Sequence, residues 1–303
     1  MRSGGRHTTV DPPQSPPSDL AQKLRAAEAC LIRFPSLLVA FSGGVDSSLL
    51  LALALRALRR DRVLAVTATG VVASADDVGW ATAVAAELGA AHLAIDFPYL
   101  DIPGFADNPP DRCYLCRRRL YEEFQALRVQ RGLAALVDGA IAVDADDYRP
   151  GLRATAEAGV LSPLAAAGLN KEEVRAACRA LGLSVSERPA SPCLASRFPY
   201  GEGITAEALH MVGEAEAHLR GCGFSVVRVR HHQGGVARIE VPREEIPRLV
   251  AEPLCGEVTK ALRALGYLHV AVDMRGFRSG SLNESLDPVG ERDGGAAERG
   301  AGA

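Results

Sequence analysis

Leu37-Leu38-Val39-Ala40-Phe41-Ser42-Gly43-Gly44-Val45-Asp46-Ser47-Ser48 decides the fold. Five apolar residues predict a short buried strand. A Ser-Gly-Gly-Val-Asp-Ser turn follows at once, and Leu49 to Arg60, rich in Leu and Ala, predicts a helix. Strand, glycine turn and helix together build an anion site. The first amides of a helix have no partner within it, and the helix dipole adds partial positive charge there. Phosphate is the natural guest. Adjacent glycines let the backbone approach phosphate oxygens without a Cβ clash. Ser42, Ser47 and Ser48 add hydroxyls. The turn lacks the lysine of a Walker A loop. Asp46 stands there instead, and an acid beside phosphates points to a magnesium ion between them.

Working outward, Ser18 can cap a helix from Asp19 to Arg33. Val63–Thr67 reads as the second strand, Ser74–Leu88 as a helix stopped by Gly89, Ala91–Asp96 as the third strand, and Leu133–Gly139 as the fourth. Strands alternating with helices at this spacing predict right-handed crossovers and a parallel sheet. Ligands in such sheets bind beyond the carboxyl ends of the strands, where the Ser-Gly-Gly turn lies. Asn170 caps a further helix, with Glu173 three residues on, as in a capping box. A change of domain follows Gly201. There, helix Thr205–Arg220, strands Phe224–His231 and Val236–Val241 joined by Gln-Gly-Gly, helices Glu244–Ala251 and Val258–Leu265, and strand Tyr267–Asp273 suggest a small α+β unit. The expected organisation is a disordered 1–18, an α/β domain over 19–200, an α+β domain over 201–284 and a disordered tail over 285–303.

Composition bounds the function. The chain has 303 residues, 48% hydrophobic and 23% charged, with a formal net charge of −3. That suits a globular core and argues against a broad basic nucleic-acid surface. No apolar run approaches the roughly 20 residues that span a bilayer, and no apolar signal core opens the chain. The expectation is a cytoplasmic protein without membrane contact. In that setting the seven cysteines point to metal binding, catalysis or burial rather than disulfides.

Pro103 to Arg112 reads as a loop leading into Cys113-Tyr114-Leu115-Cys116, with a basic helix starting at Arg117. Cys193 lies in a proline-rich loop beside Ser196 and Arg197, as a candidate reactive thiol or metal ligand. Three thiolates suit a 4Fe–4S cluster with one iron open, although a full set is four. A thiol or persulfide relay, zinc, or no ligand role are the alternatives. Arg228, Arg230 and His232 share one face of a strand because side chains alternate. Two Arg forks on one face suit phosphate or carboxylate; a solvated edge strand is the plainer alternative.

The Ser-Gly-Gly-x-Asp-Ser turn resembles the pyrophosphate loop (PP-loop) of the N-type ATP pyrophosphatases, whose Rossmann-like domain it implies. Asp111-Arg-Cys-Tyr-Leu-Cys-Arg117, Tyr148-Arg-Pro-Gly151, Ser162-Pro-Leu164, Pro192-Cys-Leu-Ala-Ser-Arg-Phe-Pro-Tyr-Gly201 and Arg228-Val-Arg-His-His232 extend the likeness over roughly residues 20 to 285. Together they resemble the LarE family of ATP-dependent sulfur transferases of nickel-pincer cofactor biosynthesis. The resemblance implies that ATP adenylates a carboxylate of a pyridinium biscarboxylate mononucleotide and that sulfur displaces AMP. It implies ATP at Ser42, Gly43, Gly44, Asp46, Ser47 and Ser48, with Asp46 and Cys193 catalytic. It implies substrate contacts from Ser196, Arg197, Arg228, Arg230 and Glu240. In some members the cysteine matching Cys193 gives up its own sulfur. Members with all three cysteines resemble 4Fe–4S enzymes, and Cys113, Cys116 and Cys193 match those ligands. A small-molecule substrate, a sulfur donor and a homo-oligomer are the implied partners. One departure stands out: Ala140-Ile141-Ala142-Val143 replaces a polar run after Asp138-Gly139, which puts nucleotide binding by that loop in question. A tRNA thiolase with the same loop and cluster, and a non-catalytic ATP- or iron–sulfur-binding protein, are the rival readings.

Overall fold

The computed structural model describes residues 18–142, 150–278 and 280–281. The expected disordered ends, the Tyr148–Gly151 motif as far as Arg149, and Val143 and Asp144 lie outside the described residues. The chain forms two compact units. One holds the described residues up to Ala106 and those of Asp111–Cys193; the other holds Asp107–Pro110 and the described residues from Leu194 onward. Among the described residues no helix is long and apolar enough to cross a membrane.

The first unit runs α1 (Ser18–Leu31), β1 (Leu37–Ala40), α2 (Val45–Ala57), β2 (Val63–Thr69), α3 (Ala75–Leu88), β3 (Ala91–Asp96), α4 (Arg112–Gln130), β4 (Ala135–Asp138), α5 (Pro150–Glu157), α6 (Pro163–Ala166) and α7 (Lys171–Ala180). Its strands form one parallel sheet in the order β3-β2-β1-β4, with Leu37 opposite both Val63 and Ala135. This is the expected α/β architecture. Leu37, Leu38 and Val39 are fully buried because both faces are covered, which explains the unbroken apolar run. On one face Leu37, Val39 and Val137 pack with α1, α2 and α7. On the other, Leu38, Val66 and Leu136 meet Tyr121 and Phe124 of α4. The chain reverses its direction of travel across the sheet between β1 and β4, so their carboxyl ends flank a switch-point crevice.

Gly89 ends α3 as expected, in the left-handed region at φ 64°, while Ser74, read from sequence as the first helical residue, is its cap and accepts from the Asp77 amide. The Asn170–Glu173 capping box is complete. The start of α4 is corrected: it lies at Arg112 rather than Arg117, so Cys113 and Cys116 sit at the beginning of the helix. The stretch from 111 to 130 holds no Gly or Pro, and the helix therefore extends back to the Pro109-Pro110 stop.

The second unit holds α8 (Ala206–Gly221), β5 (Arg228–His232), β6 (Val236–Glu240), α9 (Ile246–Leu249), α10 (Leu254–Ala264) and β7 (His269–Val272). Its sheet order is β5-β6-β7, with an antiparallel hairpin and a parallel third strand. Gly234 and Gly235 turn the hairpin at φ 77° and 72°, the geometry that primed turns demand. The first strand begins at Arg228 instead of Phe224, although Phe224 is buried in the same core as Val229, Ile239 and Tyr267. The two expected helices shift: the first shortens to α9 with Pro247 in its first turn, and the second begins earlier than expected, at Leu254 directly after Pro253.

Candidate functional site

The phosphate turn sits where β1 ends. Gly43 has φ +69°, and a Cβ there would lie 2.6 Å from the Ala81 Cα of α3. Only glycine fits. Gly44 caps α2 in an extended conformation without a side-chain cap of its own, and its amide donates to Ser42 Oγ at 3.3 Å; the following amides of the first turn are the ones an anion would take. Ser42 and Ser47 bond each other at 3.2 Å, and the Ser47 hydroxyl donates to the Gly44 carbonyl at 3.1 Å. Ser48 differs: it is fully buried, its hydroxyl lacks a partner, and its amide donates to the Gly44 carbonyl.

Asp46 carries a cation that sequence reading missed. Lys171 Nζ lies 2.7 and 2.9 Å from its two carboxylate oxygens, across 125 positions of chain. Both side chains are partly exposed. Lys171 is the first residue of α7, where the helix dipole disfavours a positive charge. That misfit is the only trace of the contact in the sequence. Lys171 thus brings a positive charge beside the phosphate turn from across the fold.

Gly139, after β4, lies against the same turn. A Cβ on it would stand 2.8 Å from Ser47 N and 2.9 Å from Ser47 Cα. Its predecessor Asp138 is buried and accepts from Ser162 Oγ (2.6 Å), from the Ala140 amide (3.2 Å) and from Tyr121. These bonds hold Gly139 flush against α2. Ile141 packs with the core beside α2 and α7, which accounts for its apolar character. Gly139→Ala should therefore displace the start of α2. Overpacking costs about 1–3 kcal/mol, so the Kd for ATP should rise about ten- to hundredfold, as read by titration calorimetry. Unchanged affinity would remove the turn from the nucleotide site.

The three singled-out cysteines belong to this unit. Cys113 and Cys193 are exposed and Cys116 is partly covered. Burial pushes the Cys116 thiol up to about 12, and the charges of Cys193 and Cys113 add to the shift. Burial likewise raises the Tyr99 hydroxyl, with Cys116 and Cys193 contributing. Cys113 and Cys116 share the start of α4, and Cys193 lies in the same compact unit. Among the described residues, no group of three His, Cys, Asp or Glu side chains is placed to hold a single metal ion.

The second unit gathers the arginines. On the shared face of β5 and β6, Arg228 pairs with Glu240 and Arg230 with Arg238. Although β5 is an edge strand, Arg228 and Arg230 are buried. Arg230 donates to Glu240 (2.7 Å), Ser281 Oγ (2.9 Å) and the Ser196 carbonyl (2.8 Å), while its Nε has no partner. Glu240 is fully buried and also accepts from Arg238 at 2.9 Å. Arg228 stacks over Phe277 at 5.3 Å. Its guanidinium pKa is lowered to about 10, first by burial and then by the charge of Arg197. Arg197 is itself buried, with a two-pronged pair to Glu216 at 2.7 and 2.8 Å and a bond to Ser196 Oγ at 2.8 Å. Glu216 was not foreseen. On α8 it has the look of any helical surface acid, yet it is 1% exposed.

Comparison with known proteins adds context. Residues 25–101 match the NAD synthase family. An uncharacterized protein from Synechocystis, slr1717, is 41% identical over 249 residues, 82% of this chain and 92% of the relative. Pyridinium-3,5-bisthiocarboxylic acid mononucleotide synthase from Lactiplantibacillus plantarum is 39% identical over 267 residues, 88% of this chain and 96% of that protein. The uncharacterized MJ0830 of Methanocaldococcus jannaschii is 26% identical over 243 residues, covering 80% and 91%.

Proposed function

The chain belongs to the LarE family of pyridinium-3,5-bisthiocarboxylic acid mononucleotide synthases, and from that premise we propose that it is an ATP-dependent sulfur transferase. It adenylates a carboxylate of a pyridinium biscarboxylate mononucleotide and replaces an oxygen with sulfur, releasing AMP and pyrophosphate. The observation that supports this best is the placement of the phosphate turn and the thiols of Cys113, Cys116 and Cys193 in one compact unit.

The chemistry follows from the residues. A carboxylate is a poor acyl donor until its oxygen becomes a good leaving group. Ser42, Gly43, Gly44 and Ser47, with the first turn of α2, take the phosphates of ATP. The Asp46 carboxylate supplies hard oxygen ligands for Mg2+, and Lys171, freed from it, neutralises the departing pyrophosphate. The substrate oxygen bonds to the α-phosphorus as the bridge to the β-phosphate breaks. Sulfur then attacks the carbonyl carbon, and the bond to AMP breaks. Arg228 and Arg230 grip an anionic group of the substrate, with Ser196, Arg197 and Glu240 ordering them. Cys113, Cys116 and Cys193 would hold a 4Fe–4S cluster, which when bound offers an open iron able to carry a sulfide. A separate sulfur donor and a homo-oligomeric assembly complete the reading.

The test is a turnover assay with ATP, Mg2+, sulfide and the biscarboxylate nucleotide. AMP, pyrophosphate and thiocarboxylate should form together and only with substrate present. Formation of ADP, or ATP cleavage indifferent to the substrate, would overturn the reading. Anaerobically purified protein should carry about four irons per chain. Absence of iron, with turnover intact, would leave Cys193 itself as the sulfur source.

A further inference from the structure

Resting on that function, we propose that Arg188 and Asp77 are a positioning pair. They fasten the segment carrying Cys193 to the phosphate turn and so keep sulfur transfer coupled to adenylation. Arg188 opens the stretch Arg188-Pro-Ala-Ser-Pro-Cys193. One Nη of its guanidinium donates to Asp77 Oδ1 at 2.6 Å, and the other reaches the carbonyl of Gly43 at 3.4 Å. The guanidinium also sits over the Trp80 ring at 4.9 Å. Ser191, two residues before the cysteine, donates to the other oxygen of Asp77 at 3.1 Å. Asp77 is thus the common anchor of the segment. It is held in turn by Ser74 Oγ at 2.6 Å, at the start of α3. The carbonyls of Ser186 and Arg188 accept from Arg175 of α7 at 2.5 and 2.9 Å, which fixes where the segment begins.

The arrangement is built for position rather than for bulk stability. Both side chains of the pair are mostly covered, 17% and 24% exposed, so water screens them less than a surface pair. Pro189 and Pro192 restrict the backbone between the anchor and Cys193. The contact at Gly43 falls on the left-handed residue of the phosphate turn, so one guanidinium joins the Cys193 segment to that turn. A fixed segment matters because the acyl adenylate has two fates. Attack by sulfur forms the carbon–sulfur bond and expels AMP. Attack by water returns the carboxylate, expels AMP and releases a proton. Small displacements of a reacting group cost on the order of a hundredfold, while water needs no positioning.

The experiment compares AMP formed with thiocarboxylate formed, in the full-length protein under the turnover conditions above. The wild-type ratio should be about one. In Asp77→Asn and Arg188→Gln the substrate-dependent exchange of pyrophosphate into ATP should persist within about twofold. The ratio should rise about tenfold or more, as positioning is lost. Ser191→Ala removes one bond only, tolerates a folding defect in the other variants, and should give a smaller rise. Exchange and thiocarboxylate falling together at an unchanged ratio would make the pair merely structural and overturn the proposal. Absence of substrate-dependent exchange in the wild type would instead overturn the functional reading, and the proposal with it.

Discussion

Replacing Cys193 with alanine should abolish thiocarboxylate formation while leaving substrate-dependent exchange of pyrophosphate into ATP in place. The phosphate turn over Ser42 to Ser48 does not include this residue, so adenylation has no need of it. The thiol is exposed, as a group that meets a substrate must be. The proposed function allows two routes of sulfur delivery through it. In one, the Cys193 sulfur bonds to the acyl carbon, the adenylate leaves, and the bond between sulfur and Cβ then breaks with loss of the α-proton. Dehydroalanine remains, and the sulfur stays on the product. In the other, Cys193 is one of three thiols that hold a cluster. Removing a group that the chemistry cannot do without costs at least about a thousandfold. Cys116→Ala separates the routes. It should be active if Cys193 is consumed and inactive if three thiols hold the cluster. Mass spectrometry of the protein after one turnover gives the complementary reading, as the loss of one sulfur from Cys193. Thiocarboxylate made at the normal rate by Cys193→Ala would exclude both routes.

What the sequence disclosed, and what it hid, divides by distance along the chain. The strand, glycine turn and helix from Leu37 onward are set by local rules: burial on both faces, a left-handed glycine and a dipole. They were legible, as were the Gly89 stop, the Asn170 cap and the Gly-Gly hairpin. Lys171 was not, because its acceptor Asp46 lies 125 positions away. Nor was Glu216, since a helical glutamate carries no mark of being the buried counter-charge to an arginine 19 positions earlier. The start of α4 was misplaced for a different reason. A Cys-x-x-Cys pair invites reading as a loop, yet its i, i+3 spacing serves equally well on one helical turn. Arg228 and Arg230 show the opposite case. Alternation placed them on one face correctly, but only the fold reveals that both are buried, that Arg230 is engaged by Glu240, Ser281 and the Ser196 carbonyl, and that Arg228 lies over Phe277.

Glu216→Gln should destabilise the second unit near neutral pH, and the deficit should shrink in acid. Glu216 accepts from Arg197 twice, from the Val229 amide at 3.0 Å and from Arg220 at 3.4 Å. It therefore ties α8 to β5 and to the Leu194–Arg197 turn. Breaking one side of a buried pair costs about 3–5 kcal/mol, because the partner charge is left uncompensated. Burial by itself would raise the Glu216 carboxyl pKa. The Arg197 hydrogen bonds and charge, the Val229 amide and the Arg228 charge outweigh it, and the net shift is downward from 4.5. A carboxyl whose folded pKa lies below its unfolded one binds fewer protons when folded. Its stabilisation is complete above about 4.5 and is lost as the pH falls through the lower, folded value. Glutamine never carries that charge, so the variant lacks this component at every pH. Urea unfolding of both proteins at about pH 7 and about pH 3.5 should show a large difference that narrows in acid. An equal difference at both values would mean that the Glu216 charge contributes nothing and that shape alone holds the turn.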